Sequence, residues 1–531
     1  MAGSDSGHHR SWAGVLLGAV LLFSPPGIGA GLDSRTLDGA AAPQVVVSTP
    51  ASLRRDLHRL PTIPAGASEK FRQIMLKVVP RAHRGTVSAE WMAVSANVAD
   101  HTVAIEPQQV FRTMGHLIEN ARYDVAFQTF AWHAESDPAK ELFAAISRLN
   151  QNRRLSPEGP PVVVRLLIDT MDSGLNGNGP TSQVMRGIEK AVRALALDPR
   201  RVRVEVAAHR HSLVGSLHSK SLVVDGVVAV VTGANANHND NFDDGEHDAG
   251  FVLHGAVARG LLSDFDHAWL SGEVWTCGTE YPRIRTVKGH PGERRQDCLD
   301  RPDRIRHLVQ PLPKVPRRLE VPMLVLGKPP ENNPFDTNEI QNPLAQGILE
   351  AFRIGQLIRI MTPNLNDQVV VESLTQAVLE GRRVQVLMGR GYEDFGQSAP
   401  GQGGTNEEVV AELYQDLQRR GVTDACERLQ IRWYSHDGTK AVEGNGPHAT
   451  HVKAVWIDDE LVLVTSKNMD TQSWRHSREI GVLVDSPEVA QAWARALFLP
   501  DFERSFVVDE CRLPKWAAVP ARPSPLIGFG K

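Results

Sequence analysis

Four residue types recur in this chain at one spacing: a histidine, a lysine two residues later, an aspartate at seven and an asparagine at seventeen. The copies read HSKSLVVDGVVAVVTGAN and HVKAVWIDDELVLVTSKN. The residues are His218, Lys220, Asp225 and Asn235, then His451, Lys453, Asp458 and Asn468. A single H-x-K-x-x-x-x-D pattern has little specificity, whereas two copies with a matching asparagine are a strong signal.

These side chains suit chemistry at phosphorus. One imidazole can attack phosphorus while another protonates the leaving oxygen, so neither copy is a complete catalyst. If the copies face each other, two lysines neutralise the phosphoryl oxygens and two asparagine amides add donors. A catalytic metal ion or another cofactor is then not expected.

Each motif is expected to lie on a β-hairpin. Apolar runs flank the aspartate in both copies, which places the bends at Asp225–Gly226 and Asp458–Asp459. Residues two apart on a strand project from the same face, so each histidine projects with its lysine. Each hairpin therefore delivers one imidazole and one ammonium group to a shared surface.

A carboxylate follows each copy. Asp248 lies in GEHDAGFVL and Glu479 in HSREIGVLV, each two residues before a glycine. Each half of the site is expected to hold its own orienting carboxylate, which accepts from Nδ1 of the histidine and leaves Nε2 free to react. An ordinary surface ion pair is the alternative for both carboxylates.

The duplicated H-x-K-x(4)-D with its downstream asparagine resembles the phospholipase D superfamily, over residues 105 to 505. The resemblance implies that His218 is the nucleophile that forms a phosphohistidine. It implies that His451 is the general acid and then the general base. It also implies that Asp225 and Asp458 are mainly structural, which agrees with their place at the turn end of each hairpin.

The chain departs from the family pattern just before each asparagine. Where the family commonly has Gly-Ser, the chain has Thr232–Gly233 and Thr465–Ser466. Ser466 can donate a hydroxyl to a phosphate, whereas Gly233 cannot. The predicted phosphate-binding residues are Lys220, Lys453, Asn235, Asn468 and Ser466.

Helix and strand patterns run in the same order through two halves of the chain, and each half ends in a motif hairpin. This predicts an α/β fold of two similar lobes, each a mixed β-sheet flanked by helices, related by pseudo-two-fold symmetry with the active site at their interface. Glycine-rich loops at 174–179 and 396–404 are expected to wall the crevice, with a phosphate cradle as the alternative. The predicted segments are a signal peptide at 1–30, an N-terminal segment at 31–87, a first lobe at 88–275, a linker at 276–320, a second lobe at 321–515 and a tail at 516–531.

Composition narrows the class of protein. With 531 residues and 41% hydrophobic content the chain can bury a sizeable core, and a net charge of −4 gives no general attraction to nucleic acid or anionic membranes. Basic residues at 8–10, an apolar stretch at 12–23 and small residues near 30 predict a secretory signal peptide. The protein is therefore expected to be secreted or periplasmic, with an uncleaved anchor as the alternative.

Four cysteines fit export, because an even, low count in an exported protein indicates disulfides. The pairs favoured by proximity are Cys277 with Cys298 and Cys426 with Cys511, and buried free thiols are the alternative. The acidic segment 238–248 has no EF-hand spacing, so an incidental calcium site there is a minor alternative. The linker is rich in Arg and Pro, and a nucleic-acid patch is its minor alternative.

The function predicted from the sequence is a secreted phosphodiesterase of the phospholipase D type, which hydrolyses phospholipid headgroup esters and transfers the phosphatidyl group to alcohols. Its partners would be a phospholipid at a membrane or micelle surface and water or an alcohol as acceptor, with the protein a monomer. An exported nuclease shares the chemistry and is one alternative. A cardiolipin-synthase-like phosphatidyltransferase, suggested by NMDTQSW after the second motif, is another, and a non-catalytic binding protein is a third.

Overall fold

The computed structural model describes residues 44–48, 62–170, 181–210, 214–270, 274–277, 305–312, 314, 320–331, 333 and 338–510. The predicted signal peptide, the first glycine-rich loop, most of the predicted linker and the C-terminal tail lie outside these residues. Of the helices in the described ranges, none combines the length and the apolar character needed to cross a lipid bilayer.

Strands and helices alternate through both halves of the chain. The strands are β1 (Gln44–Ser48), β2 (Ala93–Val94), β3 (Asn97–Ala99), β4 (Ala104–Ile105), β5 (Asp124–Thr129), β6 (Val162–Thr170), β7 (Val202–Arg210), β8 (Ser221–Val224), β9 (Val228–Thr232), β10 (Ala249–Gly255), β11 (Val274–Cys277), β12 (Ile305–Val309), β13 (Met323–Lys328), β14 (Leu357–Thr362), β15 (Arg383–Met388), β16 (Leu429–Trp433), β17 (Ala454–Ile457), β18 (Leu461–Thr465), β19 (Glu479–Asp485) and β20 (Phe506–Val507). The α-helices are α1 (Glu69–Val78), α2 (Ala89–Met92), α3 (Pro107–Glu119), α4 (Asp137–Gln151), α5 (Thr181–Ala194), α6 (Val257–Trp269), α7 (Pro343–Ile354), α8 (Gln368–Leu379), α9 (Asp394–Gln397), α10 (Asn406–Arg419), α11 (Ala425–Arg428), α12 (Pro487–Trp493) and α13 (Leu499–Arg504).

Within the described residues the strands build two nine-stranded mixed sheets and one small two-stranded sheet. The first large sheet has the order β11-β7-β6-β5-β8-β9-β10-β3, with β4 also on β10, and the second has the order β2-β13-β19-β18-β17-β14-β15-β16-β20. Three central strands in each are parallel and the rest antiparallel. Six consecutive strands correspond one for one between the sheets, which confirms the predicted pair of α/β lobes.

The motif hairpins form as expected. β8 pairs with β9 and β17 with β18, in both cases antiparallel across a tight turn. The turns need left-handed backbone, with φ of 52° at Asp225 and 63° at Gly226, and 56° and 55° at Asp458 and Asp459. Asp and Gly tolerate this region better than most residues, so the predicted bends fall where the backbone requires them.

Helix α6 joins the two lobes through a continuous apolar core. It packs on β8 and β9 of the first sheet and on β13 of the second. At Gly260 a side chain would meet Val325 Cγ2 at 2.7 Å and the Trp91 carbonyl oxygen at 2.8 Å, so the absence of Cβ permits the close approach. Because the buried cluster runs through both sheets, the lobes are packed together rather than tethered.

The N-terminal segment packs on the second lobe. α1 begins after Ser68, whose Oγ accepts from the Phe71 backbone N–H at 3.2 Å. The helix buries an apolar face that includes Ile74 and Val78 against α7. β2 also pairs with β13 of the second sheet, so the first sheet begins at β3. β1 pairs with β12, which lies inside the predicted linker.

The predicted disulfides cannot be followed in this structure. Cys298 and Cys511 lie outside the described residues, and Cys277 ends β11. Cys426 is an exposed residue of α11. Both pairings therefore remain predictions from the sequence.

Candidate active site

Each motif begins where its lobe meets the other lobe. The residue before each motif histidine forms a parallel bridge with the other lobe, Leu217 with Arg478 and Thr450 with His247. The backbone N–H of His218 donates to the Arg478 carbonyl oxygen at 2.9 Å, and that of His451 donates to the His247 carbonyl oxygen at 2.8 Å. The matching pair of contacts shows the predicted pseudo-two-fold relation at the site itself.

This pairing exchanges the orienting carboxylates between lobes. His218 Nδ1 lies 2.8 Å from Glu479 Oε1, and His451 Nδ1 lies 3.0 Å from Asp248 Oδ2. These contacts agree with the predicted orienting role of Asp248 and Glu479, but each carboxylate reaches the histidine of the opposite lobe rather than that of its own lobe. The surface-ion-pair alternative fails, since Asp248 and Glu479 are fully buried. We call the two centres the His218 half-site and the His451 half-site.

The His451 half-site contains a second carboxylate that the sequence did not reveal. Glu246 Oε2 lies 3.0 Å from His451 Nδ1, as close as Asp248 Oδ2. Tyr392 donates its hydroxyl to Glu246 Oε1 at 2.9 Å, and its ring stacks over the His451 ring with centroids 6.3 Å apart. The position equivalent to Glu246 in the second lobe is Ser477, whose hydroxyl lies 2.8 Å from Ser216 Oγ. Of the two motif histidines, His451 has two carboxylate oxygens at 3.0 Å from Nδ1, whereas among the described residues the carboxylate at His218 Nδ1 is that of Glu479.

The two motif lysines are buried beside their histidines. Lys220 Nζ donates to the His218 carbonyl oxygen at 2.8 Å, and Lys453 Nζ donates to the His451 carbonyl oxygen. Burial lowers the pKa of Lys220 to about 7 and also lowers that of Lys453. An anion bound between them would offset that desolvation and favour the charged ammonium forms, which suits a phosphate site.

The motif asparagines are positioned by backbone around them. Asn235 Oδ1 accepts from the Ala131 backbone N–H at 3.1 Å, which points its amide nitrogen the opposite way. Its own backbone N–H donates to Asp240 Oδ2 at 2.9 Å, so the acidic segment 238–248 shapes this turn. Asn468 is 6% exposed at the equivalent place.

The hydroxyl of Ser466 contacts the carboxylate of Glu479. Its hydroxyl donates to Glu479 Oε2 at 2.5 Å and accepts from the Ile480 backbone N–H at 3.1 Å. Ser466 therefore fixes the carboxylate that orients His218, and its predicted phosphate contact stays a prediction. At the equivalent Gly233 a side chain would lie 2.6 Å from Asp248 Oδ2, so glycine makes room for that carboxylate.

The motif aspartates stabilise the hairpins and lie away from the histidines. Asp225 accepts from the backbone N–H groups of residues 122 to 124, the Tyr123 contact being 2.8 Å, and from Gln310. Asp458 accepts from the Gln356 and Leu357 backbone N–H groups and forms an ion pair with Lys70. These contacts match the structural role that the resemblance implies.

Burial and the two lysines keep both imidazoles neutral. The pKa of His218 is lowered by burial, with Glu479 opposing and Lys220 and Lys453 adding to the effect. The pKa of His451 is lowered further by burial, Lys453 and Lys220. A neutral imidazole that donates from Nδ1 has a lone pair on Nε2, which is the form needed for attack on phosphorus or for proton abstraction.

The carboxylates of the two half-sites titrate differently. Burial raises the pKa of Asp248 to about 6, against the opposing effect of Lys453. Burial also acts to raise the pKa of Glu479, but His218, Lys467 and Lys220 outweigh it and the value is lowered. Lys467 is thus an additional basic group of the His218 half-site, although burial and Lys328 lower its own pKa to about 7, and its equivalent in the first motif is the uncharged Ala234.

Two further carboxylates act on the charged groups of the site: Glu393 on the motif lysines and Asp470 on His218. Burial and Asp470 raise the pKa of Glu393 to about 8, while Lys453 and Lys220 oppose the rise. Asp470 accepts from the Ser473 backbone N–H at 2.8 Å. The second glycine-rich loop adjoins this region, since Asn366 donates its side-chain amide to the Gly404 carbonyl oxygen at 2.9 Å.

A buried basic residue immediately precedes each orienting carboxylate in the sequence: His247 precedes Asp248, and Arg478 precedes Glu479. His247 Nδ1 is 2.8 Å from Glu106 and its Nε2 is 2.6 Å from Asp501 of the second lobe. Arg478 of the second lobe donates to Asp264 Oδ1 of the first lobe at 2.6 Å. The same segments that carry the orienting carboxylates therefore also hold the lobes together.

Glu246, Asp248 and His451 place one oxygen or nitrogen each within 4.8 Å of one another, a spacing that could hold a metal ion. However, His451 Nδ1 already hydrogen-bonds to Asp248 Oδ2 at 3.0 Å, and Glu246 Oε2 lies at the same distance as an ion-pair partner. A metal at this point would have to replace the contacts that orient the imidazole. The geometry fits an orienting pair of carboxylates better than a ligand set.

Comparison with known proteins agrees with this architecture. The family described as "Cardiolipin synthase, PLD-like domain" matches residues 350–498. The CDP-diacylglycerol–serine O-phosphatidyltransferase of Haemophilus influenzae is 23% identical over 383 residues, which is 70% of this chain and 78% of the relative. The Escherichia coli enzyme of the same name is 26% identical over 144 residues, which is 26% of this chain and 30% of the relative. The crystal structure of phosphatidylserine synthase from Haemophilus influenzae superposes with a TM-score of 0.54 at 18% identity and covers 76% of this chain and 87% of that one.

Two lobes that each contribute a histidine, a lysine and a crossing carboxylate define an enzyme fold built around one composite phosphoryl site. The matched family and the duplicated motifs agree on its identity. The chain belongs to the phospholipase D superfamily, whose enzymes act on phosphodiester bonds.

Proposed function

We propose that this protein is a phosphatidyltransferase that moves a phosphatidyl group from CDP-diacylglycerol to the hydroxyl of serine. The observation that carries the proposal is the similarity to an enzyme of that name over 78% of the relative's length. It favours the transferase alternative of the sequence analysis over the secreted hydrolase. The prediction of export depends on residues 1–30 and stays a prediction.

The two-histidine site supports transfer in two steps. In the first, Nε2 of His218 bonds to phosphorus and the bond from phosphorus to the leaving cytidylate oxygen breaks, with His451 supplying a proton. In the second, His451 takes the proton of the acceptor hydroxyl, the acceptor oxygen bonds to phosphorus and the bond to His218 breaks. Two displacements predict retention of configuration at phosphorus.

Burial of the reacting groups supports transfer to an alcohol over hydrolysis. Both motif histidines are 6% exposed and both lysines 2% or less. A cleft that excludes most water slows hydrolysis of the phosphohistidine and gives a bound alcohol time to react. Because the donor is a lipid, the enzyme would work at a membrane or micelle surface.

The test is an assay with CDP-diacylglycerol labelled at the phosphatidyl phosphorus, in mixed micelles with serine. Labelled phosphatidylserine with stoichiometric release of CMP is the expected result. Parallel reactions supply glycerol, ethanol or water alone as acceptor, phosphatidylcholine as donor, and single-stranded DNA. Hydrolysis of phosphatidylcholine with no use of CDP-diacylglycerol would restore the hydrolase, and degradation of DNA alone would make the protein a nuclease. The matched control is the His218→Ala variant, which should be inactive in every arm.

A further inference from the structure

We propose that Glu246 and Lys467 are positioning residues that make the half-sites electrostatically unequal, so that His451 is held for proton transfer and His218 for attack on phosphorus. The assignment of His451 to proton transfer and of His218 to attack on phosphorus rests on the proposed phosphatidyl transfer. The inequality itself rests on the contacts alone. Neither residue belongs to the duplicated motif, and each lacks a charged equivalent in the other copy.

Glu246 adds a negative charge at His451. Its carboxylate and that of Asp248 are both 3.0 Å from Nδ1, and all three residues are at least nine-tenths buried. Tyr392 holds Glu246 from the other side through a 2.9 Å hydrogen bond. Charges this close in a buried site interact strongly, so a proton gained at Nε2 of His451 is stabilised by two carboxylates.

Lys467 adds a positive charge at the other half-site. Its ammonium donates to the Ser473 carbonyl oxygen at 2.5 Å and lies 4.6 Å from the Trp474 ring centroid. Its chain neighbour Ser466 donates to Glu479 Oε2 at 2.5 Å, which places Lys467 next to the carboxylate that contacts His218 Nδ1, and Lys467 acts to lower the pKa of that carboxylate. With that carboxylate partly neutralised, protonation of His218 is less favoured and its lone pair stays available.

Other charged groups lie near His451, His218 and Lys467 and also affect their pKa values. Those around His451 are Lys453, Lys220, His218, Asp248 and Glu246. Those around His218 are Glu479, Lys220, Lys453 and Asp470. Those around Lys467 are Lys328, Glu479, Asp367 and Asp470. Lys453 also responds to Glu246.

Substrate changes the balance among these groups. In the empty cleft burial and the two motif lysines lower the pKa of His451. A phosphodiester anion bound between the lysines offsets both of them. The carboxylates next to each Nδ1 then become the nearest uncompensated charges. There are two at His451, Glu246 and Asp248, and one at His218, Glu479.

The experiment follows the imidazole signals of ¹³C-histidine-labelled protein by NMR in saturating inorganic phosphate, with His218→Gln and His451→Gln variants to assign them. Glu246→Gln keeps an acceptor for Tyr392 but removes the charge, so it should lower the pKa of His451 by about one unit and leave that of His218 in place. Lys467→Met should raise the pKa of His218. The surface variants Glu427→Gln and Lys140→Met are controls for the two types of substitution.

Kinetics provide the second measurement. In the transfer assay Glu246→Gln should move the alkaline limb of the pH–rate profile, which reports His451, to lower pH, whereas Lys467→Met should move the acid limb, which reports His218, to higher pH. Unchanged histidine pKa values, or equal shifts at both histidines, would overturn the inference whatever the activity. The NMR shifts without any transfer from CDP-diacylglycerol to serine would refute the proposed function alone.

Discussion

The two half-sites have the same backbone contacts and different charges. Each histidine receives a carboxylate from the opposite lobe, and each lysine donates to the carbonyl oxygen of its own histidine. The charges differ at two aligned positions. Glu246 of the first lobe corresponds to Ser477 of the second, and Lys467 of the second lobe corresponds to Ala234 of the first. The shared contacts build a phosphoryl site, and the unshared charges give its two sides different tasks.

Removing each histidine in turn tests whether His218 attacks phosphorus and His451 transfers the proton. His218→Ala and His451→Ala should each lower the transfer rate by about 10⁴-fold while leaving the circular dichroism spectrum unchanged. The variants should differ in one respect: protein denatured in detergent at mildly alkaline pH, where a phosphohistidine survives, should carry phosphatidyl label in His451→Ala and none in His218→Ala. Label on the His218→Ala protein would reverse the assignment of the nucleophile.

Neutralising the crossing carboxylates compares the half-sites directly. Glu479→Gln should lower the transfer rate by about 10³-fold because His218 has no second carboxylate on Nδ1, by analogy with triad aspartates. Asp248→Asn should cost only about tenfold, since Glu246 remains 3.0 Å from His451. Steady-state rates at constant pH measure both effects. Equal losses would show that Glu246 does not support His451.

The cations that join the lobes should respond differently to pH. Burial opposes protonation of His247, but Asp501 and Glu106 raise its pKa to about 10. This raised value stabilises the fold fully below the unfolded pKa of about 6.5, and the contribution is lost as pH rises through about 10. Arg478 stays charged throughout that range.

Thermal unfolding between pH 7 and pH 10.5 measures this difference. The midpoint of the wild type should fall over that interval, and that of His247→Gln should start lower and fall less. Arg478→Met should destabilise by about 3–5 kcal/mol at every pH, because it leaves Asp264 buried and unpaired. A parallel fall in wild type and His247→Gln would contradict the role of His247.

Ser466 gives a smaller test of the same comparison. Ser466→Ala removes the hydroxyl that holds Glu479 Oε2 and should lower the transfer rate by about fivefold to tenfold, the equivalent of one hydrogen bond. Thr465→Ser, which alters the neighbouring residue and retains a hydroxyl, is the control. A rise in the Michaelis constant for the lipid without a fall in turnover would instead support the predicted phosphate contact.

Chelation should have the smallest effect. If Asp248 orients His451 through its hydrogen bond and Glu246 acts through its charge, incubation with EDTA should leave the transfer rate unchanged. Activity measured after dialysis, with and without added Mg²⁺, Ca²⁺ or Zn²⁺, checks this. A strong loss that one of these ions restores would identify the Glu246, Asp248 and His451 cluster as a metal site.

Local pattern was enough to predict most of the fold. The two halves share their order of strands and helices as expected, and the hairpin turns fall at the expected aspartates. Helix α6 was missed because it is buried on nearly all sides between the lobes, which removes the amphipathic pattern that identifies a surface helix.

The candidate site was predictable only where its residues repeat. The alignment on Gly250 and Gly481 showed that Asp248 and Glu479 are equivalent, but equivalence does not reveal which histidine each one reaches. Crossing between lobes is a long-range contact with no local signal. Glu246 and Lys467 were missed for the opposite reason: they have no counterpart in the other copy, so a search for repetition passes over them.

The exchange of carboxylates between lobes has a consequence for how such a site can diverge. If two identical chains formed this site as a symmetric dimer, every substitution would appear at both histidines together. Joining both lobes in one polypeptide removes that constraint, since a glutamate can be gained at one centre while the other keeps a serine. The duplication thus supplies two interchangeable half-enzymes, and their fusion allows each to specialise.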